Sequence, residues 1–410
     1  MYQHRDEASV LLADPMPALR ENCSAVAVEP KRVEDSERFH FLVARPIARP
    51  DLAGMMEIAA HVNLASMRSE EEKNQLTIEQ SIRTLAGTLP WQQGLMMLAA
   101  DLFPLSGGPS ELAGNIRLQV GWGGCWHKKQ HARLFNFPGL RTWAEHEYLT
   151  YQANQDDEYT LELAGLSVLP THRGKKIARF LAEAWALFIL LNQDELQKRI
   201  GTIASLYANI LTTDAEGKYP FYEQVVRPLF GGLDYDTVDA YRYARCNARS
   251  AILDEFLDER GDQPRARILC HLLPDQLRQN LGKVRDESAG CRKNLERLGF
   301  CRTDKFDVLD GGQYFENTIA QLDHTIKRRE YVARCAHTWE LPADAPRLTV
   351  APAGRSMSDF CSAQARCRIQ GNQLFLEEEV YDALQMEHNE RVIALASPTL
   401  ARRQDDDARA

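Results

Sequence analysis

The chain has 410 residues, 44% of them hydrophobic and 26% charged, which is ordinary for a globular protein of two or three domains. Its formal net charge is −9 and its Lys and Arg residues are scattered, which excludes the concentrated positive charge of a general nucleic-acid surface. No apolar run reaches the roughly 18 residues of a membrane span, and no signal peptide is recognisable, so we expect neither a nucleic-acid nor a membrane partner.

The cysteines point to a reducing compartment. There are nine of them, an odd number, and no pair has the CxxC spacing of a zinc or redox motif. This pattern argues against a disulfide framework and against a structural metal site. The sequence predicts reduced thiols in the cytoplasm and no bound metal.

The first predicted elements follow a polar segment, residues 1–40, which we expect to be a mobile tail. A short strand is predicted at Phe41 to Ile47, then a helix that Asp51 can cap and a second helix over residues 70–85. Two strands are predicted at residues 94–101 and 111–121, joined by a Gly-Gly-Pro-Ser turn. An irregular stretch containing strands is expected to follow.

The most informative segment runs from residue 159 to residue 191. A buried strand is predicted at 159–169, a basic loop at 170–176 and an apolar helix at 177–191. Such a junction points backbone N–H groups and the positive end of the helix dipole outward, which suits a pyrophosphate. Basic side chains in the loop would add positive charge at the same place. The alternative is a solvated basic turn that caps an ordinary helix.

The C-terminal third predicts further α/β structure. A helix is predicted at residues 287–298, ending at the glycine C′ position Gly299, and a strand follows it. Residues 341–346 have the composition of a linker. We expect residues 347–397 to form a small, mainly-β module and residues 398–410 a polar tail.

The loop resembles a known acyl-CoA motif. Arg173-Gly174-Lys175-Lys176-Ile177-Ala178 is similar to the Arg/Gln-x-x-Gly-x-Gly/Ala signature that holds the pyrophosphate of acyl-CoA in GNAT-type acyltransferases. Arg173 and Ala178 match, whereas Lys176 stands at the central glycine. Because glycine lets the backbone approach a phosphate closely, Lys176 either obstructs that approach or compensates with its ammonium group.

Four further segments narrow the resemblance to the arginine N-succinyltransferase family. They are Phe41 to Ile47 with Asp51-Leu52, Glu162 to Leu166, Leu295 to Phe300 with Phe306 to Gly312, and Asp359 to Ala363 with Leu376 and Ala383-Leu384. The resemblance implies an α/β fold with a GNAT-like mixed, strongly twisted sheet flanked by helices over residues 41–340. It implies acyl-CoA, as succinyl-CoA or acetyl-CoA, as co-substrate, bound by Leu166, Val168, Arg173, Gly174, Lys175, Lys176, Ile177 and Ala178.

The implied activity is transfer of the acyl group to the amine of an arginine-like amino acid. The backbone near Leu166 would stabilise the oxyanion. The resemblance also implies a homodimer or a complex with a paralogue. The alternative is a catalytically inactive subunit or binding protein paired with an active paralogue.

The proton-transfer residue departs from the family. The position that matches the family's histidine is Arg285, which cannot exchange a proton near neutrality but could stabilise an oxyanion or carboxylate. His127 is the replacement base that we consider first, and Cys125 beside it suggests a thiol nucleophile as a further possibility. Glu145-His146-Glu147 lacks the i, i+4 spacing of helical metal ligands, which favours a solvated face.

Overall fold

The computed structural model describes residues 39–61, 70–104, 108–120, 125–137, 140–152, 159–214, 218–235, 237–238, 267–285, 288–337, 341–342 and 345–395. All of them belong to one compact unit that begins at Glu37. The tails predicted at residues 1–40 and 398–410 lie outside the described residues, except for Phe39 and His40.

The described strands form one mixed sheet of fifteen strands in the order β12-β15-β11-β14-β13-β1-β2-β3-β6-β7-β10-β9-β4-β5-β8. Most neighbours are antiparallel, whereas β6–β7 and β11–β14 are parallel. The bounds are β1 Phe39–Pro46, β2 Leu95–Pro104, β3 Glu111–Val120, β4 Cys125–Phe137, β5 Leu140–Gln152, β6 Tyr159–Val168, β7 Ile203–Ile210, β8 Arg267–Leu269, β9 Cys301–Phe306, β10 Gln313–Asn317, β11 Arg328–Ala336, β12 Arg347–Pro352, β13 Ser362–Gln370, β14 Gln373–Glu377 and β15 Arg391–Leu395.

Helices cover both faces of the sheet. Their bounds are α1 Leu52–His61, α2 Glu71–Leu85, α3 Ile177–Leu191, α4 Gln193–Ile200, α5 Asp275–Asn280, α6 Ala289–Arg297, α7 Ile319–Ile326 and α8 Glu378–Ala383. Helix α2 packs on β2 and α1 packs on β3 and α2, and their apolar side chains, such as Met55 and Ile78, share one core. On the opposite face α3 packs against β3 and β6. The architecture is therefore a mixed α/β sheet with helices on both sides.

Helix α3 is the centre of the largest core. Its residues from Phe180 to Leu190 are all buried, which explains why the sequence there is apolar on every side except at Glu183. The sheet covers one side of the helix, while α6, α7 and β12 contact it elsewhere. Trp185 lies against Phe300, and Phe188 meets Phe360 edge to face at 5.2 Å between ring centroids. This packing holds the start of α3 at a fixed place beside the end of β6.

The last five strands of the chain lie at one end of the sheet and form a closed ring. Because β12 pairs with β15 and also with β13, the strands β12, β15, β11, β14 and β13 form a ring, which we call the C-terminal ring. Leu348, Val350, Leu374 and Val392 fill it with other apolar residues. Its β13 pairs with β1 and so continues the main sheet. Division of the chain at residues 340 and 347 stays a prediction.

The long hairpin β4–β5 differs from the sequence prediction. The sequence predicts an irregular stretch with strands in it here, and β4 is instead a regular strand that pairs with β5 from Cys125↔Gln152 to Phe137↔Leu140. Cross-strand pairing over thirteen residues outweighs the local effect of the preceding glycines. Of the helices that the structure describes, none is long and apolar enough to cross a membrane.

Candidate active site

A bulge interrupts β6 next to the predicted acyl-CoA loop. Asn115 pairs with Ser167 and Arg117 pairs with Ala164, so β6 has one more residue than β3 between these two pairs. Gly165 within it has φ +56, and a Cβ there would lie 3.0 Å from Arg117 Nε. Glycine is therefore needed at this position, and the bulge leaves backbone groups near Leu166 outside the regular ladder.

The parallel strands β6 and β7 separate just before this bulge. Their last paired residues are Leu163 and Ala208, whereas β6 continues to Val168 and β7 to Ile210. Leu166 and Val168, both half-buried, therefore lie on the part of β6 that no longer pairs with β7. In α/β sheets, ligands characteristically bind outside the carboxyl ends of parallel strands. The gap between β6 and β7 is therefore the natural place for a ligand.

The basic loop joins this edge of β6 to helix α3, as the sequence predicted. Arg173, Gly174 and Lys176 are exposed and Lys175 is half-buried. The backbone of Gly174 has φ +84, and a Cβ there would meet no atom within 4 Å. Lys176 precedes the first turn of α3 with φ +63, a left-handed conformation that favours glycine. No described side chain caps this end of the helix, so its first N–H groups face the loop.

The face of the sheet opposite α3 carries a row of polar residues, which we call the polar face. On β3, Asn115, Arg117 and Gln119 alternate with residues of the α3 core and are at most 4% exposed. Gln119 Nε2 donates a hydrogen bond of 2.7 Å to Glu162 Oε2 on β6. Glu162 in turn lies opposite Tyr207 of β7. The row therefore crosses three neighbouring strands beside the bulge.

The polar face was not predicted as a site. Its signal in the sequence is the strict alternation of polar and apolar residues from Asn115 to Val120, which ordinarily indicates a strand with one solvated face. Burial of the polar positions becomes visible only when the neighbouring strands β2 and β6 are placed beside them in the folded sheet. Glu162 lies within a segment that resembles the family, but nothing local assigned it a role.

Arg285 lies at the same edge of the sheet as the basic loop. Its guanidinium donates a hydrogen bond to the hydroxyl of Thr213, three residues beyond the end of β7. Because β6 and β7 are parallel, their carboxyl ends and the segments that follow share one edge. The structure thus brings Arg285, Leu166 and the basic loop to one edge.

His127 lies farther along the sheet. It is on β4 opposite Lys305 of β9, and β9 and β10 separate β4 from β7. In the strand order β6-β7-β10-β9-β4, four spacings between neighbouring strands separate β4 from β6. His127 therefore lies about 19 Å from β6 along the sheet. Its Nδ1 is 3.8 Å from Asp304 Oδ1. Burial lowers the pKa of His127, although Asp304 opposes that effect, so the imidazole is neutral at neutral pH.

The cysteine beside His127 does not have the character of a nucleophile. Burial raises the pKa of the Cys125 thiol to about 12, and the positive charge of Lys305 only partly opposes this. The thiol is therefore protonated at neutral pH and a poor nucleophile.

The Glu145-His146-Glu147 cluster lies on β5, the partner strand of β4. Glu147 forms an ion pair with Lys128 at 2.9 Å, while the side chains of Glu145 and His146 lie outside the described residues. The described part of the chain holds no group of three metal-ligating side chains.

Comparisons with known proteins agree on one family. A family model described as "Arginine N-succinyltransferase beta subunit" matches residues 42–324. Arginine N-succinyltransferases of Salmonella paratyphi B and Salmonella typhimurium are each 24% identical over 361 residues, which cover 85% of this chain and 96% of the relative. These proteins align with the chain along nearly their whole length.

A solved structure shows the same fold. The arginine/ornithine succinyltransferase subunit AI from Pseudomonas aeruginosa superposes with a TM-score of 0.67 at 17% identity. The match covers 87% of this chain and 99% of that subunit. At this identity the likeness concerns the fold.

Proposed function

Because the chain belongs to the arginine N-succinyltransferase family, we propose that it transfers a succinyl group from succinyl-CoA to the amine of arginine or a related basic amino acid. The observation that carries the proposal is the bulged end of β6, which lies beside the separated β7 and runs through a basic loop into α3. A parallel pair that opens at this point supports a GNAT-like sheet.

The diphosphate of acyl-CoA would bind at the basic loop. The first N–H groups of α3 and the side chains of Arg173 and Lys175 offer hydrogen-bond donors and positive charge to phosphate oxygens. Lys176 adds a third cation but keeps a side chain in a left-handed backbone position. Gly174, Ile177 and Ala178 would contribute through their backbone, since small or buried side chains there leave the loop surface open.

The thioester would lie in the gap between β6 and β7. There the backbone N–H groups of the bulge near Leu166 would donate hydrogen bonds to the thioester oxygen, and Val168 would line the gap beside the pantetheine arm. Such fixed donors stabilise the negative charge that develops as the amine nitrogen attacks the carbonyl carbon. The C–S bond then breaks, and the CoA thiolate leaves.

The acceptor would reach the gap between β6 and β7 from the side of the sheet opposite α3, because α3 packs against β6 on the other side. The attacking amine must lose one proton, and Arg285 cannot take it. His127 is neutral and able to accept a proton, but its distance from β6 requires an intermediary. Glu162 is the carboxylate on the polar face beside the bulge, and it joins His127 as a candidate for this role. Arg285 suits a second task, which is to hold a carboxylate of the acceptor or of the succinyl group.

The direct test uses the full chain with succinyl-CoA and arginine. Loss of thioester absorbance is the better signal, because Cys301 and Cys335 are exposed and would consume a thiol reagent. We expect a loss that needs both substrates, and less of it with acetyl-CoA. Replacing Arg173 or Lys175 by Ala should weaken CoA binding by roughly 1–3 kcal/mol.

Arg391→Ala is the control for these two variants, since it removes an exposed cation from the C-terminal ring and should leave CoA affinity unchanged. The proposal fails if CoA does not bind at millimolar concentration, or if it binds with equal affinity after Arg173 and Lys175 are both replaced by Ala. Binding without turnover on any basic amino acid would instead favour the inactive subunit. The transferases that align with most of the chain favour an enzyme.

A further inference from the structure

We propose that His172 is a positioning residue, which holds the ammonium group of Lys175 at the basic loop ready for a phosphate of acyl-CoA. The inference rests on the proposed function, because it names a residue that prepares the same binding site. No motif in the sequence singled out His172, which precedes the segment that resembles the acyl-CoA signature.

The contacts of His172 form a chain of three side chains. Lys175 Nζ lies 3.0 Å from His172 Nδ1, and His172 Nε2 lies 3.1 Å from Glu111 Oε1 at the start of β3. The side chain of His172 is 9% exposed, whereas that of Glu111 is 58% exposed. An imidazole buried between a cation and a carboxylate has its two nitrogens in different roles.

The charges around the ring determine these roles. Burial lowers the pKa of His172, and the neighbouring Lys175 ammonium lowers it further, while Glu111 and Glu57 of α1 act in the opposite direction. The neutral imidazole therefore predominates at neutral pH. Its Nδ1 accepts a hydrogen bond from Lys175, and its Nε2–H donates one to Glu111.

The consequence for the loop is preorganisation. A lysine ammonium has three N–H donors, and His172 uses one of them, so two remain for phosphate oxygens. An unrestrained lysine loses much side-chain freedom when it binds a ligand, and a side chain that is already held loses less. His172 is anchored by burial and by Glu111, which fixes the direction from which it holds Lys175.

The test is a double-mutant cycle on CoA binding, measured by isothermal titration at neutral pH with the full chain. His172→Ala should weaken CoA binding about three- to tenfold. In a Lys175→Ala background the same change should have no further effect, because the group that His172 positions is absent. His172→Gln should restore affinity, since its amide oxygen can accept from Lys175 while its NH₂ group donates to Glu111.

A second measurement needs no ligand and separates this inference from the proposed function. In Lys175→Ala, the NMR titration of His172 should move to higher pH, because a neighbouring positive charge has been removed. Equal losses from His172→Ala in both backgrounds, or an unchanged His172 titration in Lys175→Ala, would overturn the positioning role. Absence of CoA binding by the unchanged chain would overturn the proposed function instead.

Discussion

Replacement of Lys176 by glycine separates two effects that this residue combines. Its left-handed backbone costs a residue with a side chain roughly 1–2 kcal/mol, and glycine adopts it freely. Glycine also gains unfolded-state entropy worth about 0.5–1 kcal/mol. We therefore expect Lys176→Gly to raise the free energy of unfolding by about 0.5–1 kcal/mol, which is about 0.5–1 °C in Tm for a chain of this length.

Lys176→Gly should lower the affinity for acyl-CoA although it raises the stability of the fold. Lys176 is exposed, and an exposed ion pair contributes roughly 0.2–1 kcal/mol. Loss of the ammonium group should therefore weaken CoA binding about 1.5- to fivefold. Relief of the backbone strain does not change the affinity, because the strain is present in both the free and the bound protein. Urea unfolding and isothermal titration with CoA measure the two quantities.

Two control variants separate the effect of the lysine charge on CoA binding from the effect of the left-handed backbone on stability. Lys176→Ala removes the charge but keeps a Cβ in the left-handed position, so it should lose affinity without gaining stability. Lys327→Gly changes an exposed lysine with φ +48 at the end of α7, so it should gain stability without losing affinity. Tighter CoA binding by Lys176→Gly than by the unchanged chain would refute this reasoning, and would mean that the Lys176 side chain obstructs the phosphate.

Two further predictions concern the packing around the site. Glu183 of α3 accepts hydrogen bonds from Arg179 at 2.9 Å and from Thr349 of β12 at 2.5 Å, so Glu183→Ala should cost about 2–3 kcal/mol in urea unfolding, and Thr349→Val about 1 kcal/mol. Equal losses in the two variants would show that the carboxylate adds nothing beyond the threonine contact. Iodoacetamide at neutral pH should modify the exposed Cys301 but leave Cys125 intact, since burial raises the pKa of Cys125 to about 12. Rapid modification of Cys125 in the folded chain, located by mass spectrometry, would contradict that.

Local features of the sequence predicted the elements around the loop well. The strand, the basic loop and α3 follow from a short apolar run, charged turn residues and a long apolar segment, all within about thirty residues of chain. The left-handed conformation at Lys176 was not predictable, because lysine normally avoids it and only the junction with α3 imposes it. GNAT-like details beyond the mixed sheet with helices on both faces remain part of the proposal.

The arrangement of the site depended on pairings between distant segments. His127 was considered with the loop because histidines are common proton acceptors, but the strand order β7-β10-β9-β4 puts two strands between it and β7. Arg285 was identified by resemblance, and only the tertiary structure places it beside Thr213 at the carboxyl end of β7. Strand order and burial of the polar face are non-local properties, which alternation within one strand cannot supply.

The pairing of β1 with β13 has a consequence for synthesis of the chain on the ribosome. Ala44 pairs with Ser362, so one edge of the first strand has no pairing partner until β13 is synthesised, more than 300 residues later. At about 5–20 residues per second, this delay is roughly 15–60 s. The other edge of β1 is satisfied early by β2. A nascent chain therefore carries an open hydrogen-bonding edge on a nearly complete acyltransferase sheet, and truncations that end before β13 keep that edge open to other chains.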